Sequence, residues 1–208
     1  DSNRYTIWAM LQRLGCEVLD LGVVRDEPAA LRAAFSEAAA SADVVITSGG
    51  VSVGEADHTK QIMADLGDVL FWRIAMRPGR PMAIGRIGSG DHGAILFGLP
   101  GNPVAVMVTF YAFVRDALLA MSGAAAQALP MLRAASTQAI RKKAGRTEYQ
   151  RGIVTRGAAG WQVEITGSQG SGILRSMSEA NGLVVLSHEQ GNVAAGDLVD
   201  VLPFDGLV

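Results

Sequence analysis

Apolar and polar positions fall into alternating blocks over the first 121 residues, and the spacing within successive blocks switches between helical and extended periods. Ser2 or Asn3 suits the cap of a helix running to Leu14, which Gly15 ends. Residues 17–24 read as a strand, and Asp26 and Pro28 open an alanine-rich helix ending near Ala42. Val44, Val45 and Ile46 form a continuous β-branched run, as expected of a strand covered on both faces. A helix follows over 58–66, then strands over 69–75 and 82–87. The turn at 88–93 leads into a further strand at 94–99, so its glycines match no dinucleotide fingerprint, which requires a helix next. A long helix from Val104 to about Met121 closes this part. Alternation of this kind predicts a three-layer α/β domain.

Beyond Gly123 the pattern changes. Residues 124–130 read as a linker, and short strands are expected at 132–140, 149–156, 161–165, 183–186 and 198–202. Glycine-bearing turns separate several of them, which predicts a small all-β barrel or sandwich. The expected domains are therefore 1–123 and 131–208.

The richest local chemistry lies where the strand at 44–46 runs into a glycine-punctuated polar loop. Thr47 and Ser48 bring hydroxyls, Gly49 and Gly50 allow positive φ, and Ser52 and Gly54 extend a turn whose amides can converge on an anion. Glu55 and Asp57 follow, so a divalent cation can bridge carboxylate and phosphate there. The same residues also suit a plain turn and helix cap. A second loop, Pro100, Gly101, Asn102 and Pro103, separates a buried strand from the long helix; Asn102 suits the cap and Pro103 the first turn. Loops at the carboxyl ends of strands in an open α/β sheet are where ligands bind.

Charge adds a third feature. The chain has 18 basic and 20 acidic residues, a formal charge of −2, which does not by itself point to an anionic ligand. Yet residues 71–86 carry Arg73, Arg77, Arg80 and Arg86 and no acid. Beyond a Debye length of about 8 Å charges are largely screened. One guanidinium about 4 Å from an anion contributes on the order of 4 kcal/mol at intermediate dielectric, so the local field decides. Pro78 and Pro81 stiffen this segment.

Other features exclude more than they assign. A lone Cys16 rules out an internal disulfide and suits the cytosol. The apolar run 104–114 is too short to span a bilayer before Arg115 and Asp116 interrupt it. His58, His92 and His188 lack metal-ligand spacing. Residues 133–156 contain seven bases against Glu148. With Tyr149 their only aromatic, a solvated face is expected and not a nucleic-acid surface. No Ser-His-Asp or Cys-His nucleophile is evident.

The run TSGGVSVGEAD, the arginine-rich RPGRP, GLPGNP and the later β-rich region, in that order and spanning nearly the whole chain, resemble the MoeA/gephyrin E-domain family of molybdopterin molybdenumtransferases. The resemblance implies a Mog-like α/β domain followed by a small β domain. It also implies insertion of molybdate into the dithiolene of adenylylated molybdopterin with Mg2+ and release of AMP, in a cytoplasmic homodimer without nucleic-acid or membrane partners. Family members carry a first sheet strand ending in a TGDEL-like loop and further domains ahead of it. This chain opens just after that strand, so a fragment whose autonomous catalysis is doubtful is expected.

By the same resemblance, Thr47, Ser48, Gly49, Gly50, Ser52, Pro100, Gly101, Asn102 and Pro103 would meet the pterin substrate. Asp57, helped by Asp26, would hold magnesium. Arg77 and Arg80, standing where the family commonly has lysines, would stabilise phosphate charge alongside Asp57. Pro81, Arg151 and Ser176 would receive molybdate. Two departures stand out. Arginine is a planar fork and not a point-charge ammonium, and Ala105 replaces a serine frequent after PGNPV. Two further readings are a molybdopterin adenylyltransferase, which shares the α/β domain, and a noncatalytic scaffold or dimerisation fragment.

Overall fold

The computed structural model describes residues 2–51, 58–89, 92–125 and 128–205. The chain folds into two compact units, one of Asp1–Ile74 with Gly79–Phe110 and the other of Ala75–Pro78 with Tyr111–Val208.

The first unit is built on a four-stranded sheet in the order β1(Val44–Ser48), β5(His92–Leu99), β4(Pro81–Ser89), β2(Gly67–Arg73). β1 and β5 are parallel, whereas β5–β4 and β4–β2 are antiparallel. Helices α2(Pro28–Ser41) and α3(His58–Leu66) cover one face. Leu31, Phe35, Ile62 and Met63 pack there against Val45, Ala83, Ile87, Ala94 and Leu96, the inward positions of their strands. α4(Pro103–Thr109) lies against β5 and packs on α1(Ser2–Arg13), completing three layers. Strand alternation leaves Leu70, Trp72 and Ile84 exposed on β2 and β4.

Two expectations are corrected here. Residues 17–24 are not a strand: they form no backbone–backbone hydrogen bond among the described residues. An extended run becomes a strand only when a ladder partner takes its amides. Gly22, at φ 73°, also breaks the extended path, and its N–H is taken by Asp20 Oδ1 at 2.9 Å. Leu19, Leu21 and Val23 consequently stand exposed. Second, Arg115 and Asp116 do not end the stretch that is apolar enough to span a bilayer; the helix itself runs on to Met121, as expected. Residues Pro103–Met121 form one helix long and apolar enough to cross a membrane by length and composition. A π-helical stretch, Phe110–Val114, lies between α4 and α5(Arg115–Met121). Val104, Val106, Val108, Phe110 and Val114 are buried, the signature of a core helix. Arg115 is also buried and donates to Asp116 at 2.6 Å.

The second unit is a barrel-like sheet. β7(Thr147–Gly157), β8(Gly160–Ile165), β6(Leu132–Ser136), β10(Leu198–Pro203) and β9(Gly182–Leu186) pair in that order, and β9 pairs back onto β7. β3(Met76–Arg77) adds in parallel to β7. Closure leaves these five strands no unpaired partner within the ring. Ala134, Val154, Val163, Val184, Leu186, Val199 and Val201 fill the interior. The basic stretch does not form a free patch. Arg133 meets Asp200 at 3.3 Å, Arg146 meets Glu148 at 2.7 Å, and Arg156 lies over the Trp161 ring. Lys142 is buried, with Nζ donating to the carbonyls of Lys143, His188 and Gln190 at 3.1, 3.3 and 2.9 Å.

Candidate functional site

Parallel pairing of β1 with β5 sets Ser48 opposite Leu99, so the loops leaving both strands emerge side by side. The Gly49 N–H donates to the Leu99 carbonyl at 3.0 Å. A Cβ built on Gly101 would lie 3.8 Å from Gly49 Cα, so the loops approach within van der Waals distance. Gly49 and Gly50 adopt φ of 95° and 73°, values that L side chains rarely take. At Gly50 a Cβ would also meet Thr59 at 2.6 Å. Asn102 is the N-cap residue and Pro103 follows at the helix start; the Asn102 carbonyl accepts from Val106 N–H at 3.0 Å.

Asn3, expected as a helix cap, lies inside α1 and turns its side chain to these loops. Its Nδ2 donates to Ser48 Oγ at 2.8 Å and to the Gly101 carbonyl at 2.7 Å. Ser48 Oγ donates in turn toward the Pro100 carbonyl at 3.4 Å. Thr47 Oγ1 and Asn3 Oδ1 are buried without a hydrogen-bond partner among the described residues. Such an atom costs about 1–3 kcal/mol, so α1 and β1 each carry a penalty beside the loops.

Ser52, Glu55 and Asp57 lie outside the described residues. Asp26 is exposed on the approach to α2. Among the described residues no three His, Cys, Asp or Glu side chains gather into a metal-binding group. Arg80 is exposed, with its carbonyl accepting from Ile74 N–H at 2.8 Å, and Pro81 begins β4 opposite Arg73.

The second unit holds the other group of expected residues. Arg151 on β7 is fully buried, a rare state for a guanidinium. Its Nε donates to Ser176 Oγ at 3.0 Å, and one terminal nitrogen donates to the carbonyls of Ser168 and Gly170 at 3.2 and 3.0 Å. Ser176, in the short helix α6(Arg175–Glu179), donates to Ile173 at 2.6 Å, which fixes its oxygen to receive the arginine. Gln169 Oε1 accepts the Arg151 backbone N–H at 2.8 Å, and its amide nitrogen returns a bond to the Arg151 carbonyl at 3.1 Å. No carboxylate pairs with Arg151 among the described residues. Burial first, and then the positive charge of Arg77 on β3, push its pKa down to about 10. The structure thus brings Arg151, Ser176 and Arg77 together in one unit.

Sequence reasoning missed the segment 166–172 that cradles Arg151, although its GSQGSG run, rich in small polar residues, signalled a tight loop. It also missed the reach of Asn3 to Ser48 and Gly101, for which the chain offers no periodic signal.

Comparison with known proteins agrees with this layout. Residues 1–120 match the family model described as "Probable molybdopterin binding domain", and residues 133–204 match "MoeA C-terminal region (domain IV)". A molybdopterin molybdenumtransferase of Haemophilus influenzae is 41% identical over 210 residues, covering 100% of this chain and 51% of that protein. The Nostoc sp. protein of the same name is 36% identical, covering 97% of this chain and 47% of its own length. The chain therefore spans about half the length of these curated relatives. Among solved structures, a MoeA protein of molybdopterin biosynthesis from Pyrococcus horikosii superposes with TM-score 0.78 at 28% identity, covering 98% of this chain and 48% of that one. A molybdenum cofactor biosynthesis protein from Pyrococcus furiosus gives 0.75 at 27%, covering 97% and 64%. With the family model matching more than half of its residues, this chain belongs to the molybdopterin-binding domain family and carries a MoeA C-terminal region behind that domain.

Proposed function

We propose that this chain is the molybdate-inserting part of a molybdopterin molybdenumtransferase, acting in molybdenum cofactor biosynthesis on adenylylated molybdopterin and molybdate with release of AMP. In this reading residues 1–123 receive the pterin and residues 131–208 supply the β domain. The carrying observation is Arg151: a buried guanidinium with a second cation beside it and no carboxylate partner among the described residues is the arrangement that an incoming oxyanion relieves. Removing a charge from water without an opposite charge is strongly unfavourable, so the site gains most from a small dianion. Ser176 orients the guanidinium edge toward that anion, and Arg77 adds a second positive charge. Arg80 and Pro81 take the phosphate and molybdate roles that the family resemblance gives them. The loops at Thr47–Gly50, with Ser52, and at Pro100–Pro103 hold the pterin. The MoeA C-terminal match over residues 133–204 favours this reading over an adenylyltransferase, which has the α/β domain alone.

Magnesium is assigned to Asp57 and Asp26 on the resemblance alone. The described residues do not by themselves assemble its ligands. The assembly proposed is a cytoplasmic homodimer.

Tungstate, a heavy analogue of molybdate, tests the assignment. A crystal soak is expected to give an anomalous peak within hydrogen-bonding distance of Arg151 and Ser176, and Arg151→Ala to weaken tungstate binding by roughly 1.5–3 kcal/mol. Peaks confined to exposed basic residues such as Arg133 and Lys143 would sink the proposal.

A further inference from the structure

Asn3 spends both of its amide hydrogens on residues far away in sequence. Its Nδ2 bonds Ser48 Oγ, 45 positions on, and the Gly101 carbonyl, 98 positions on. A carbonyl can only accept, so the bond to Gly101 fixes which side of the amide carries nitrogen. The oxygen is left buried without a donor among the described residues. An asparagine serving α1 alone would turn that oxygen to the free amides of the first helical turn, as N-cap residues do. Here the side chain is committed to the two loops instead. The Gly49 N–H to Leu99 bond and the weak Ser48 to Pro100 contact at 3.4 Å also join the loop pair.

We propose that Asn3 is a positioning residue for the pterin substrate, a latch from α1 that sets the spacing of the loops leaving β1 and β5. The ligand half of this rests on the reading that these loops receive the pterin. The latch engages Ser48 Oγ and the Gly101 carbonyl, and so fixes where these two residues stand within the loops. Ser48 then acts with Asn3 as one unit, and their effects on binding are not additive.

Two measurements on the full chain, with molybdopterin itself as probe, decide the matter. In the unliganded protein, Asn3→Leu is expected to raise amide exchange at Ser48, Gly49, Gly50, Gly101 and Asn102 by about tenfold, leaving β4 and β5 as they were. In titrations, Asn3→Leu is expected to raise the molybdopterin dissociation constant by about tenfold, the scale of one net hydrogen bond. Adding Ser48→Ala should then change little, while tungstate affinity is unaltered. Ser48→Ala alone, which keeps Asn3 in place, provides the same comparison if Asn3→Leu folds poorly. Unchanged loop exchange, or additive losses in a parent that binds molybdopterin, would overturn the role of Asn3. Failure of the parent to bind molybdopterin would instead overturn the functional reading and, with it, the ligand half of this proposal.

Discussion

Arg151 holds a charge that the fold alone does not neutralise. With its folded pKa near 10 and its unfolded value higher, the unfolded chain binds the extra proton between those limits. Its contribution to stability therefore rises with pH through that window. Below about pH 10 both states are protonated, and the folded protein bears the full penalty, on the order of 3 kcal/mol. An oxyanion reverses this balance by binding the protonated form. Tungstate affinity, followed by calorimetry, is expected to depend little on this group from pH 7 to 9 and to fall as the pH passes about 10. Affinity that keeps rising above pH 10 would exclude the guanidinium as the anchor. The arginine itself stood out in the sequence through its place in a family pattern. Its burial and its proximity to Arg77 did not, because the two are 74 positions apart and meet only through β3 pairing with β7.

At the scale of elements, legibility followed hydrogen-bonding demand. Helices α2, α3 and α4 and strands β1, β4, β5 and β7 to β10 lie close to where apolar periodicity put them, since each buries the face its pattern defines. Residues 17–24 failed because alternation specifies a face but not a ladder partner. The two-residue strand β3 and the short helix α6 carry too few positions for any period to register. The amides of 17–24 are expected to exchange within about tenfold of free-peptide rates, while those of β4 and β5 are slower by at least about a hundredfold. Strong protection across 17–24 in exchange mass spectrometry would mean that another segment completes a ladder there.

For the whole molecule, the sequence distinguished an α/β part from a β part through the change of period after Gly123. It did not reveal that Ala75–Pro78 joins the second unit, because a two-residue strand has no compositional mark. The proposed magnesium role belongs at this scale, since Asp26 and Asp57 are far apart in the sequence. In a form that turns over, Asp57→Asn is expected to abolish magnesium-dependent activity while thermal stability stays within about 1 kcal/mol, the usual scale of a cap change. A variant still fully active and magnesium-responsive would refute the role. Sedimentation velocity checks the homodimer: a species at twice 21.8 kDa is expected, and a monomer at all accessible concentrations would exclude it.

The buried ammonium of Lys142, tied to three carbonyls, gives the barrel an internal chemical clock. An acylating reagent reacts with the neutral, accessible amine, so exposed Lys143 is labelled in the native protein while its sequence neighbour is spared. Lys142 becomes reactive only when the carbonyl cage around it opens. The ratio of modification at these adjacent positions thus reports how often the second unit opens, in a crude lysate and without any ligand.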